Sequence, residues 1–242
     1  MNILYFDTET TGLPNAKFPL NAPEQPRMTQ LGFILEVNGH DALVVDTMIQ
    51  PEDDWQIHAD TGTVMSAKAQ ELTGITQEML EKDGIPVADA IEMFIIAAEN
   101  ADLLVCHNNA FDNKLVSIQY SRLRPEMPPR SILCGKPSLC TMKTATPICK
   151  IRKKDGKVGY KWPKLEEAMM FFYGEELEGA HSAIVDIKAT RRVFHTLVNM
   201  GAFDEQVTDL FKEGRIPQDV LDSIMEGFPE DPALLPHLRE AA

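Results

Sequence analysis

Asp7 and Glu9 stand two residues apart in Phe6-Asp7-Thr8-Glu9-Thr10-Thr11-Gly12-Leu13, directly after the apolar run at 1–6. On a β-strand, that spacing puts both carboxylates on one face. Two carboxylates at the end of a buried strand repel each other and are costly to desolvate. A hard divalent cation with oxygen ligands relieves both problems. A D-x-E pair alone equally fits a polar strand end that runs into a turn at Gly12. Two further segments carry reactive side chains. Cys106-His107-Asn108-Asn109-Ala110-Phe111-Asp112 puts an acid in the first turn of a helix that follows a strand. Taken alone, Asp112 is a favourable charge at a helix N-terminus. Gly179-Ala180-His181-Ser182-Ala183-Ile184-Val185-Asp186 puts a histidine five residues before an acid. Five residues along one helix are about 140° apart, so the pair shares a face poorly if both are helical. If His181 precedes a cap at Ser182, its ring is free to reach over the helix start. Taken alone, His181 is also a loop or capping histidine.

Strands are needed to hold the first segment, and the sequence supplies them. The run at 1–6 reads as a buried strand, and those at 28–36 and 42–49 as two more, joined by an Asn38-Gly39 hairpin turn. Residues 15–27 read as a long loop. Helical spacing appears at 66–72 and 87–99, with Pro86 suited to a first turn. Residues 103–106 form a fourth strand-like run, followed by a helix capped by Asn108 or Asn109 that ends before Pro125. The stretch 125–163, with prolines at 125, 128, 129, 137, 147 and 163, reads as irregular. A helix at 165–173 stops at Gly174. A longer one runs from a Ser182 cap to Met200, with Gly201 just past its end. Antiparallel early strands and later helix–strand crossovers predict an α/β domain with a mixed sheet.

The three segments, in this order, resemble the three motifs of the DnaQ-like DEDDh family of 3′→5′ exonucleases. FDTETTGL matches the first, HNNAFD the second and the His-x4-Asp of AHSAIVD the third. The likeness covers roughly 2–197. Gln30-x-Gly32, Thr73-Gly74-Ile75-Thr76 and Lys164-Leu165 also fit, although many members carry a histidine where this chain has Thr73. The resemblance implies an RNase H-like fold, a five-stranded mixed sheet flanked by helices. It implies that Asp7, Glu9, Asp112 and Asp186 hold two divalent cations, Mg²⁺ or Mn²⁺, with Asp7 bridging them. It makes His181 the general base, a task that suits an imidazole near neutral pH. The implied activity is metal-dependent hydrolysis of DNA, single-stranded or frayed at its 3′ end, to nucleoside 5′-monophosphates. The enzyme would act alone or as a proofreading module of a DNA polymerase or replication partner. An exoribonuclease of the same family, and an inactive nucleic-acid-binding module, are the alternatives.

Substrate contacts follow less directly. Backbone groups of Thr8–Thr10 are placed to hold a terminal nucleotide, and in the family the residue matching Leu13 wedges against its base. Leu13 reads equally as core packing after a glycine turn, Phe111 as core, and Asn108 as a backbone contact or a cap. Between the second and third motifs, Lys150, Arg152, Lys153, Lys154, Lys157, Lys161 and Lys164 face only Asp155, a local net of +6. With Tyr160 and Trp162 beside them, these cations suit a single-stranded backbone and its bases. The expectation is a flap in which Lys153 and Lys154 bind substrate; a solvated hairpin tip is the alternative.

That run matters because the whole chain is acidic. Lys plus Arg number 23 against 37 Asp plus Glu, a net of −14 over 242 residues. A uniform field of that sign would oppose nucleic-acid binding, which rests on neutralising phosphates. The acids are concentrated in 202–242, read as a helical appendage of net −7 to an exonuclease domain at 1–201 with a basic, Pro-rich insertion at about 125–163. Within the appendage, Leu234-Leu235-Pro236-His237-Leu238 packs intramolecularly or docks a partner. Cys106, Cys134, Cys140 and Cys149 lack the paired spacing of a structural zinc site and are expected as free thiols. No run approaches a membrane span and no signal peptide is visible, which gives a cytoplasmic expectation with no membrane partner.

Overall fold

Five strands order as β3-β2-β1-β4-β5 in one sheet. They are β1 (Asn2–Thr10), β2 (Met28–Val37), β3 (His40–Met48), β4 (Leu103–Cys106) and β5 (Ser138–Cys140). The computed structural model describes residues 1–127, 132–154 and 156–239. Pro128, Pro129, Asp155, Glu240 and the last two residues of the expected appendage lie outside these. β1, β2 and β3 pair antiparallel, and β4 and β5 pair parallel to β1 and to each other. The sheet is therefore mixed and five-stranded, as expected for an RNase H-like fold. The β2–β3 turn has Asn38 at φ 50° and Gly39 at φ 79°, the two positive values that a tight hairpin demands.

Helices cover both faces: α1 (Ala67–Thr73), α2 (Gln77–Asp83), α3 (Val87–Glu99), α4 (Asn109–Leu123), α5 (Thr141–Cys149), α6 (Leu165–Tyr173), α7 (Ala183–Asn199), α8 (Asp204–Lys212), α9 (Gln218–Glu226) and α10 (Pro236–Arg239). The period-2 alternation of β1 assigns its faces. Leu4 and Phe6 pack with α3 and α4, whereas Ile3 and Tyr5 pack with α5, α6 and α7. Asp7 and Glu9 continue the second series, so both carboxylates emerge on the α7 side of the strand end.

Three expectations need correction. The stretch 125–163 is not irregular throughout, because it contains β5 and α5. β5 is only three residues long, and Pro147 sits inside α5, so neither left a periodic signature. α2, opened by the Thr76 side chain bonding Met79 N–H, went unrecognised because only Leu80 of its residues is buried. Asn108 occupies the cap position of α4 but its side chain makes no capping bond; its backbone is left-handed, at φ 104°. Beyond α7, Phe203, Val207, Leu210, Val220 and Ile224 join the same core as α7. Leu234 and Leu238 are buried there too, and Leu235 N–H donates to Phe172 C=O at 2.9 Å. Among the described residues, no helix is long and apolar enough to cross a membrane.

Candidate active site

A cleft of about 930 Å³ opens where β1 ends, and Asp7, Glu9, Asp112, His181 and Asp186 all line it. Asp7 and Glu9 come from β1, Asp112 from α4, and His181 and Asp186 from the start of α7, each for a local reason. Asp7 pairs across the ladder with Gly32 of β2. A Cβ at Gly32 would lie 2.7 Å from Ala183 Cβ and 2.8 Å from Ile187 Cδ1. Glycine there lets the first turn of α7 press onto the sheet, which brings Asp186 to Asp7 and Glu9. Gln30 completes the docking. Its Oε1 accepts the Ala183 N–H at 3.3 Å, one of the orphan donors of that helix end, while its Nε2 donates to Asp46 at 2.7 Å. On the other side, Asp112 Oδ1 accepts both the backbone N–H of Thr8 at 3.1 Å and its hydroxyl at 2.7 Å. The second motif is thereby locked onto the first.

His181 precedes Ser182, which holds the cap position of α7 but, against expectation, makes no side-chain capping bond, and the His181 backbone is left-handed at φ 66°. Its N–H donates to Asp186 Oδ2 at 3.2 Å. The ring folds back so that Glu9, His181 and Asp186 each offer a ligand atom within 4.8 Å of the others. Two non-glycine residues with positive φ, Asn108 and His181, thus sit just before the helices that carry Asp112 and Asp186. Strain of this kind persists where the surrounding structure over-determines it.

The electrostatics are those of unneutralised negative charge. Burial, and then repulsion from Asp112, Asp186 and Glu9, push the Asp7 carboxyl well above its ordinary range. Burial raises Glu9 to about 8, with Asp186 and Asp112 adding repulsion. Asp112 rises to about 7 through burial, although the Thr8 hydrogen bonds oppose it. Burial lifts Asp186 to about 6 against the His181 bond. Asp186 Oδ1 is buried without any hydrogen-bond partner. The carboxylates of Glu9 and Asp186, grouped with the His181 imidazole and with Asp186 Oδ1 orphaned, fit a divalent cation, since such a buried acceptor is otherwise costly.

Thr8, Thr10, Leu13 and Asn108 also line the cleft. Leu13 is 82% exposed, so the core-packing alternative fails for it. Phe111 is half-buried, packing on the core while lining the cleft. Lys153 and Lys154 do not line it; they lie on an exposed hairpin whose arms meet at the Arg152–Tyr160 bridge. Among the hairpin's described residues, only its return end, Trp162 to Lys164, reaches the cleft.

Two site residues escaped the sequence reading. Glu166, in the first turn of α6, places Oε1 3.5 Å from His181 Nε2. An acid there reads as a complement to the helix dipole, so nothing local flags it. His107 was visible in the second motif but had no role. Its Nε2 must donate to the Pro163 carbonyl at 3.0 Å, which leaves Nδ1 to accept from the Thr141 hydroxyl at 2.9 Å. Burial pushes His107 down to about 4, so the ring is neutral at pH 7 and ties the hairpin's end to β4.

Residues 4–194 match the sequence family described as Exonuclease, RNase_T. The chain belongs to that exonuclease family, and its three motifs are of the DEDDh 3′→5′ type. No curated protein matches the chain. Among solved structures, Escherichia coli exonuclease I in complex with a dT13 oligonucleotide is similar in fold. Its TM-score is 0.62 and its identity 18%, over 87% of this chain and 43% of that one. The same enzyme with a dA16 oligonucleotide gives a TM-score of 0.63 at 18% identity, over 86% and 43%. The zinc-bound form of its single-stranded DNA complex gives 0.59 at 20%, over 86% and 43%. The chain spans less than half the length of these exonuclease I chains.

Proposed function

We propose that this protein is a metal-dependent 3′→5′ exodeoxyribonuclease that removes nucleoside 5′-monophosphates one at a time from single-stranded or frayed 3′ ends, alone or as a proofreading module. The observation that carries this reading is the convergence of four carboxylates from β1, α4 and α7 on one cleft floor, with Asp186 Oδ1 left without a partner. Asp7, Glu9, Asp112 and Asp186 would hold two divalent cations, Mg²⁺ or Mn²⁺. When bound, such cations polarise the scissile phosphate and lower the pKa of the attacking water.

The chain's own residues do the rest. His181 takes the proton of the attacking water, and the carboxylate of Glu166, 3.5 Å from Nε2, favours the imidazolium that results. The water oxygen bonds to phosphorus as the P–O3′ bond breaks; the terminal nucleotide leaves with its 5′-phosphate, and the 3′-oxygen of the shortened strand takes a proton from solvent. Backbone groups of Thr8–Thr10, with Asn108, hold that nucleotide, and the projecting Leu13 wedges against its base. Lys153 and Lys154 on the hairpin attract the trailing backbone. Residues 1–201 form the catalytic domain. Residues 202–242 form an appendage, whose described part, 202–239, braces α7 from behind, where Arg192 bonds Asp231 at 2.7 Å and lies 4.2 Å from the centre of the Tyr173 ring.

The test uses 5′-labelled single-stranded DNA, duplex DNA and RNA, with Mg²⁺ and then with chelator. The expected result is a one-nucleotide ladder on single-stranded DNA that vanishes with chelator. A preference for RNA would instead make the protein an exoribonuclease. His181→Ala should lose most of the rate while circular dichroism and Tm stay as in wild type. Wild-type turnover in that variant removes His181 from the chemistry.

A further inference from the structure

Trp162 is the exposed one of the chain's two tryptophans: Trp55 is 6% exposed and Trp162 63%. It lines the catalytic cleft together with Leu13 and Leu72, two other large apolar side chains left open to solvent. Among the described residues, no aromatic ring packs on it. An indole face held open at the mouth of a cleft is costly to hydrate and needs a reason.

The backbone on both sides of Trp162 is tied down. Lys161 N–H donates to Ile151 C=O at 2.9 Å, and its ammonium pairs with Glu167. The Pro163 carbonyl accepts from His107 at 3.0 Å, and Lys164 N–H donates to Glu167 Oε2 at 2.8 Å. The ring is therefore presented from a fixed frame anchored to α6 and to the residue after β4. Binding to such a surface loses little conformational entropy. The hairpin behind it carries Arg152 and Lys154, cations suited to a phosphate backbone.

We propose that Trp162 is a stacking platform for an unpaired nucleobase at the cleft mouth. Stacking on an aromatic face is indifferent to base identity, because every base offers a π-face. A duplex hides those faces everywhere but at its ends, so paired DNA must fray before it engages. The proposal rests on the reading above that a single-stranded or frayed 3′ end enters this cleft, and it names the side chain that meets an unpaired base there.

Intrinsic fluorescence tests it on the full chain, with a hydrolysis-resistant phosphorothioate oligothymidylate as probe. Saturation, followed independently by anisotropy of a labelled probe, should quench the emission of the wild type but not that of Trp162→Phe. With cleavable single-stranded DNA, Trp162→Ala should raise KM about 5- to 150-fold, the range for one stacked base, with kcat unchanged. Trp162→Phe should restore most of the affinity. Unchanged emission at saturation, or a wild-type KM in Trp162→Ala, overturns the platform. Metal-dependent release of mononucleotides without quenching sinks the platform and leaves the exonuclease reading intact. Quenching without any metal-dependent hydrolysis does the reverse.

Discussion

The floor and the rim of the cleft are built on opposite principles. On the floor, carboxylates from three elements are fixed by the ladder, by Thr8 on Asp112 and by the glycine that admits α7. They are enclosed, mutually repulsive and unstable in their charged form. On the rim, Leu13, Trp162 and the basic hairpin stand in solvent. The floor stores electrostatic strain that a cation relieves; the rim offers apolar faces and positive charge. Within a chain of net −14, the run at 150–164 is a local island of net +6, the stretch that suits a polyanion.

The largest effect that separates the two regions is expected at Asp7. Asp7→Asn should slow hydrolysis about a thousandfold, comparable to removing one dedicated transition-state contact. The same change should raise the Tm of the metal-free protein, because it removes a repelled charge. Near-normal rates, measured by mononucleotide release, would mean that the floor is not the reaction centre.

The next effect is on stability against pH. Unfolded carboxyls titrate near 4, whereas burial and repulsion hold Asp186 at about 6, Asp112 at about 7 and Glu9 at about 8. Between those values the folded state binds more protons than the unfolded one. Metal-free stability should therefore fall as pH rises from about 4 to about 8, by about 1.4 kcal/mol per pH unit for each proton in its window. Differential scanning fluorimetry should show Tm falling across that range, and saturating Mn²⁺ should raise it most at the alkaline end. A flat metal-free profile would contradict the repulsion.

The smallest effect belongs to the rim. Reversing both charges with Lys153→Glu and Lys154→Glu should weaken single-stranded DNA binding and lower the salt slope by about 1.4, from two lost phosphate contacts on a single strand. Tm should hardly move, since both side chains are exposed. Binding isotherms at several salt concentrations would reveal it; an unchanged slope would leave the hairpin without a role in binding.

Much of the floor was legible in the sequence because its chemistry constrains local spacing. Asp7 and Glu9 must be two apart to share a strand face, and Asp112 must follow the β4 turn. The alternation of β1 and β2, the Asn38-Gly39 turn and the long stripe of α7 were equally local. β5, α5 and α2 were not, because short elements take their stability from packing rather than from their own periodicity. Glu166 reads as an ordinary helix-start acid until α6 is laid beside His181, and His107 reads as a motif residue until it grips the Pro163 carbonyl. Gln30 and Gly32 were noticed, but their work on α7 exists only across 153 residues of chain. The sequence by itself determined which side chains carry charge and how neighbours along one strand or helix are spaced, since backbone geometry sets those periods. Only the tertiary structure decided which of those charges meet, because desolvation and Coulomb repulsion depend on distances through space that no separation along the chain encodes.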